Sequence, residues 1–175
     1  MASKKLNDTA LRRLMAEEKN LKNDFHTLGF IAMPRKQEDI KDYSHWDIYI
    51  QGQKDTLYEG CLLHALIEFH PEYPIQPPKM KFISKMFHPN IYSDGKVCIS
   101  ILHMADDDPT SYMKADEKWT PVHGIRTIVH SVVSLLNEPN TSSPANVDAS
   151  KMFNNNIEEY KRIVRNLAKQ ESIEE

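Results

Sequence analysis

The sequence predicts an α+β fold in one domain over residues 1–175: an N-terminal helix, a four-stranded antiparallel meander sheet, then C-terminal helices. Three observations carry this. Apolar residues recur at helical spacing near both ends of the chain. Short apolar runs separated by turn residues fill the middle. These runs follow one another without helical segments between them, which favours hairpin-linked strands over alternating βαβ units.

The elements follow in order. Asp8 or Thr9 can cap a first helix, with Ala10, Leu11, Leu14, Met15 and Leu21 roughly on one face. Phe30-Ile31-Ala32-Met33 is a short apolar strand. Trp46, Ile48 and Ile50 alternate with Asp47 and Tyr49 in a second. Leu62 to Phe69 and Met80 to Ile83 supply the third and fourth. Gly52 to Asp55, Glu59-Gly60 and Pro71 through Pro78 are the turns between them. From Cys98 to Trp119 the pattern is irregular and polar. Thr120-Pro121 then starts a second helix, with proline at its first position and Gly124 a weak point inside it. Val122, Ile125, Val129, Val132, Val133 and Leu136 form its buried face. Ser143-Pro144 begins a short third helix through Met152. Ile157, Tyr160, Ile163, Val164 and Leu167 mark a fourth, running to about Lys169.

Composition narrows the function. A net charge of -3, with 40% apolar and 27% charged residues, is ordinary for a globular chain and gives no argument for nucleic-acid binding. Basic residues crowd the N-terminus, whereas Asp106, Asp107 and Asp108 form an acidic run. Two cysteines, Cys61 and Cys98, make neither a disulfide scaffold nor a zinc pattern. No phosphate-binding glycine loop is present, and nothing in the residues calls for a cofactor or a metal. The start of the chain lacks a signal-peptide core, and no apolar stretch is long enough to insert in a membrane. A cytoplasmic or nuclear location follows, in which a free thiol persists.

The chemistry centres on Cys98. The stretch His88-Pro89-Asn90-Ile91-Tyr92-Ser93-Asp94-Gly95-Lys96-Val97-Cys98 sets an asparagine eight residues before a cysteine, across a tight turn. A sulfur that attacks acyl carbon and an amide that donates hydrogen bonds are two parts of an acyl-transfer site. A cysteine thiol ordinarily ionises near pH ~8.5, and the small thiolate fraction present at neutrality is already a good nucleophile. The irregular segment around Cys98 argues for exposure; Cys61, in a strand context, reads as core. Asn90 can stabilise an oxyanion or fix a turn, and both roles can hold together. His88 reads as the turn's buttress. His103, Asp107 and Asp108 are candidates to orient or deprotonate an incoming amine. Two other readings of Cys98 stay open: a cysteine-dependent hydrolase, for which no triad is evident, and an inactive module that only binds.

This block closely resembles the signature of the ubiquitin-conjugating enzymes. Tyr73-Pro74-Ile75-Gln76-Pro77-Pro78, Trp119-Thr120-Pro121 and Asp55-Thr56-Leu57-Tyr58-Glu59-Gly60 are similar to further family motifs, so the likeness covers nearly the whole chain. The resemblance implies the ubiquitin-conjugating fold and a thioester of ubiquitin on Cys98, passed with a RING-type ligase to a lysine amine of a protein substrate. It implies docking of the ubiquitin-activating enzyme and the ligase through Arg12, Arg13, Ile75, Pro121 and Val122. The long segment from His103 to Lys118 resembles a subgroup with an extended acidic loop after the cysteine. That subgroup contains a cell-cycle type and an endoplasmic-reticulum quality-control type, and both build ubiquitin chains. Recruitment to the cytosolic face of that membrane would follow from the second type. The sequence departs from the family where many members carry an acidic gate residue: here it is Ser143. The resemblance therefore shifts the expectation of lysine activation towards Asp107 and Asp108.

Overall fold

The computed structural model describes residues 5–105 and 117–172, with residues 25 and 26 described for their backbone only. Helix α1 (Asp8–Leu28) is capped by Asn7, whose Oδ1 accepts the Ala10 N–H at 2.8 Å. The cap falls one residue before the expected Asp8 because the Asn7 N–H is already held by the Pro71 carbonyl, 3.0 Å away. Ala10, Leu14 and Leu21 are buried as the spacing predicts, but Leu11 and Met15 are exposed. The inward row is instead completed by Glu18, a buried carboxylate.

Strands β1 (Phe30–Gln37), β2 (Ile40–Gln51), β3 (Leu62–Glu68) and β4 (Lys79–Phe82) form one antiparallel sheet in the order β1-β2-β3-β4. The first two strands are longer than their apolar runs. They continue through charged residues into a tight hairpin whose two linking residues, Glu38 and Asp39, both have positive φ (47° and 67°). That geometry matches the twist of paired strands. Pro34 cannot donate to the ladder, and the register shifts between Pro34 and Arg35. Trp46, Ile48 and Ile50 alternate inward, and Leu63, Ala65, Ile67, Met80 and Phe82 continue the same buried face.

Helix α2 (Ile125–Asn137) buries Ile125, Ile128, Val129, Val132 and Leu136 in the same core. It starts at Ile125, not at Thr120-Pro121. Residues 120–124 are drawn into turns, with His123 N–H bonded to the Thr120 carbonyl, and Gly124 occupies the N-cap. Val122 accordingly lies outside the helix and is 86% exposed rather than buried. Helix α3 (Val147–Asn155) begins after Asn146, whose side chain accepts the Ala149 N–H, so Ser143-Pro144 belongs to the preceding loop. Helix α4 (Ile157–Lys169) runs as predicted and buries Tyr160, Val164 and Ala168. The chain then returns to the sheet, where the Leu62 N–H meets the Glu171 carbonyl at 2.9 Å. Among the described residues no helix is long and apolar enough to cross a membrane.

Glu18 ties α1 to β2. Its Oε1 accepts from Lys22 and Lys41 at 2.8 and 2.7 Å, and its Oε2 from the Tyr43 hydroxyl at 2.7 Å. Burial alone would raise its pKa, but these hydrogen bonds outweigh burial and bring the carboxyl from 4.5 down to about 2. A carboxylate depressed in the folded state contributes stability that is complete above its unfolded pKa and lost as pH falls through the folded one. The unfolding free energy is therefore expected to drop by about 1–2 kcal/mol between pH ~4.5 and ~2 on this account. Chemical denaturation across that range should show the drop, and Glu18→Gln should flatten it.

Candidate active site

Residues 90–98 form a hairpin that extends the sheet beyond β4. Cys98 N–H bonds to the Asn90 carbonyl, Tyr92 N–H to that of Lys96, and Gly95 N–H to that of Tyr92, each at 2.9 Å. The far arm is sewn to β4 by Phe82 N–H to Gly95 O (2.8 Å) and Val97 N–H to Met80 O (2.9 Å). Gly95 makes this possible: its φ is 94°, and a Cβ there would stand 2.2 Å from the Phe82 carbonyl oxygen. Side chains alternate along the arms. Ile91 and Val97 are buried; Tyr92, Lys96 and Cys98 face outward. After Cys98 a 3-10 turn (Ser100–Leu102) buries Ile101 and Leu102, so the strand ends and the half-buried sulfur sits at its exit. Cys61 is fully buried, as its strand context implied, with its thiol directed at the Tyr58 carbonyl.

His88, Pro89 and Asn90 stitch this hairpin to the loop before α3. His88 is fully buried; its Nδ1 accepts the Asn90 N–H at 3.0 Å, so the proton lies on Nε2 and is donated to Leu135 O at 2.8 Å. Pro89 O accepts from the Ala145 and Asn146 N–H groups. The Asn90 amide pairs twice with the backbone of one residue, donating to Asn140 O at 2.7 Å and accepting from Asn140 N–H at 2.8 Å. The turn-fixing role of Asn90 is thus realised, and one of its two amide hydrogens is committed to it. Ser143 is exposed on the loop that Asn90 and Pro89 hold.

Tyr92 was not singled out by the sequence reading, although its place diagonal to Cys98 across the hairpin was available from the turn. Its phenol is raised above its ordinary range by the neighbouring Cys98 sulfur first, then by burial. His103 is half-buried; its N–H bonds to Ser100 O and its carbonyl accepts the Trp119 N–H, both at 2.9 Å. Lys118, also buried, reaches the Ala105 carbonyl at 3.2 Å. The ends of the long polar segment are thereby brought together near the end of the hairpin. Asp107 and Asp108 lie outside the described residues.

The expected docking residues separate into two kinds. Ile75 (63% exposed), Pro121, Val122 and Arg12 are outward-facing. Arg13 is half-buried. Its guanidinium is spent on Glu17 (2.8 Å), Pro121 O (3.0 Å) and His123 O (2.8 Å), clamping the Trp119–Gly124 segment onto α1. Glu17, unmarked by any sequence motif, accepts the Tyr73 hydroxyl and the Ile125 N–H as well. It caps α2 from another helix, and a Cβ on Gly124 would intrude to 2.7 Å from its carboxylate. Trp119 Nε1 donates to Pro74 O at 2.8 Å, closing the two loops against each other. Among the described residues no group of three His, Cys, Asp or Glu side chains could hold a metal ion.

Burial lowers His88 from 6.5 to about 4, only partly offset by its bonds to the Leu135 and Leu136 carbonyls. It is neutral in the folded state, and its stability contribution is complete above pH ~6.5 and lost as pH falls towards ~4. Unfolding free energy should decline by about 2–3 kcal/mol over that range, above the window set by Glu18. Titration of the His88 ring signal by NMR should give a midpoint near 4, and a midpoint near 6.5 would contradict this account.

A sequence model of the ubiquitin-conjugating enzyme family matches residues 13–168. The human ubiquitin-conjugating enzyme E2 G2 is 46% identical over 163 residues, covering 91% of this chain and 94% of its own length. The 18 kDa ubiquitin-conjugating enzyme E2 of Schizosaccharomyces pombe is 47% identical over 160 residues, with the same two shares. A probable ubiquitin-conjugating enzyme E2 of Encephalitozoon cuniculi is 52% identical over 143 residues, 81% of this chain and 66% of that protein. With the helix–sheet–helix order, the cysteine hairpin and these likenesses, the chain belongs to the ubiquitin-conjugating enzyme family, E2 transferases that carry their cargo as a thioester.

Proposed function

We propose that Cys98 takes ubiquitin from an activating enzyme as a thioester and surrenders it to a lysine amine. The observation that carries this is the placement of the two sulfurs: Cys98 stands half-exposed at the mouth of the hairpin, whereas Cys61 is sealed in the core. The described His–Asp pairs, His64–Asp47 and His45–Asp42, lie on β2 and β3 rather than at the hairpin, which favours a carrier over a hydrolase. A thioester carrier is served by an open face that admits an amine, and it does not require a base to create its nucleophile. Asn90 holds the loop that carries Ser143 and leaves one N–H for the oxyanion. Asp107, Asp108 and His103 orient the acceptor, and lysine-linked chains that mark proteins for degradation are the product. The extended segment after Cys98 and the likeness to the G2-type enzyme support that assignment.

The test is incubation with activating enzyme, ATP and ubiquitin. A reductant-sensitive adduct should form, persist in Cys61→Ala and vanish in Cys98→Ala. Absence of an adduct in the unaltered protein would overturn the assignment.

Partners dock on the exposed Arg12, Ile75, Pro121 and Val122, with Arg13 holding the platform together from beneath. Arg12→Ala should leave thermal stability unchanged while weakening activating-enzyme and ligase engagement. Arg13→Ala should cost about 1–3 kcal/mol of stability, because three hydrogen bonds from a charged donor are lost. Melting curves paired with charging titrations would separate the two variants.

A further inference from the structure

The outward face of the hairpin carries a group that no part of the proposed reaction uses. Lys96 lies two residues before Cys98 on the same arm, and the buried Val97 between them sets both side chains outward. Two residues along an extended arm span ~7 Å, within the sweep of a four-carbon lysine stem. The ammonium of Lys96 is exposed and makes no ion pair or hydrogen bond among the described residues. Its cross-strand neighbour on β4 is Lys81, a like charge that cannot hold it in place. Lys118, by contrast, is buried and bonded to a carbonyl.

We infer that Lys96 is a self-acylation site, the amine that takes ubiquitin from Cys98 of its own chain when no other acceptor arrives. The inference rests on the thioester reading above. The Lys96 nitrogen adds to the thioester carbonyl carbon, the new C–N bond forms, and the C–S bond breaks. The amine's proton leaves as Cys98 returns to the thiol, and an isopeptide remains on Lys96. Only a small fraction of any lysine amine is neutral near pH ~7.5. Attachment to the same strand as the acyl group offsets that through proximity, a gain that a free amine lacks. The product carries a folded protein beside Cys98 and obstructs reloading, so an idle charged enzyme is withdrawn from the pool.

The experiment charges the full chain with activating enzyme, ATP and ubiquitin whose lysines are all arginine, then follows it without acceptor. A reductant-resistant adduct should accumulate at a rate independent of protein concentration and map to Lys96 by peptide mass spectrometry. Lys96→Arg should still form the reductant-sensitive adduct and lose the resistant one by roughly ten-fold. A resistant adduct on another lysine, an unchanged yield in Lys96→Arg, a rate that rises with concentration, or no resistant adduct would each overturn the inference. If the unaltered chain forms no reductant-sensitive adduct, the thioester reading itself fails and the self-acylation falls with it.

Discussion

One carboxylate organises the molecule. Glu17 accepts hydrogen bonds from Arg13, from the Tyr73 hydroxyl and from the first N–H of α2. Three segments distant in sequence therefore meet at two oxygen atoms: α1, the Tyr73–Pro78 loop and the start of α2. Hydrogen bonds with a charged partner contribute about 1.5–3 kcal/mol each, and a free helix N-terminus is where a negative group is best placed. From there α2 carries the constraint to the sulfur. Its Leu135 carbonyl holds His88, His88 holds the Asn90 N–H, and Asn90 holds both Asn140 and the Cys98 N–H. The Trp119–Gly124 segment and the loop beside Cys98 share one run of hydrogen-bonded contacts.

The Cys98 end of that run is built from elementary strand geometry. A hairpin alternates its side chains, so burying Ile91 and Val97 obliges Tyr92, Lys96 and Cys98 to face outward. Gly95 lets the turn lie directly on the Phe82 carbonyl. The 3-10 turn after Cys98 keeps the chain from continuing as strand and covering the sulfur. Cys98 is presented without a catalytic triad among the described residues, and its neighbours there are a phenol, an amine and a backbone-pinned amide. Such a site suits a group held and handed on better than one split by water.

Much of this was legible in the sequence. Alternation marked the inner faces of β2 and β3, the strand context marked Cys61 as core, and the spacing of α4 was read to its last turn. The failures share a cause. The β1–β2 hairpin runs through Arg35 to Asp42, where charge hides the strand pattern and backbone pairing alone sustains it. Leu11 and Met15 were counted inside because a helical stripe tells that one face is apolar but not where its edge lies. The start of α2 was misplaced because Pro at a first turn is a local signal, whereas the actual start is capped by Glu17 from another helix, 108 residues away in sequence. The clamp made by Arg13 is invisible in the sequence for the same reason, since its partners include carbonyls of a distant turn.

By itself, the sequence determined which cysteine is buried, which lies in the family's signature, and the family to which the chain belongs. Those facts lie in short-range pattern: a tight turn, an alternation, an asparagine at fixed spacing. Tertiary structure alone decided what the polar side chains do. Asn90 became a clasp on Asn140, Arg13 and Glu17 became scaffolding, and Lys96 was set outward on the arm of Cys98 with no side-chain partner among the described residues. The reason is physical: apolar burial follows local periodicity, but a hydrogen bond is directional and finds its partner only where the folded chain places one.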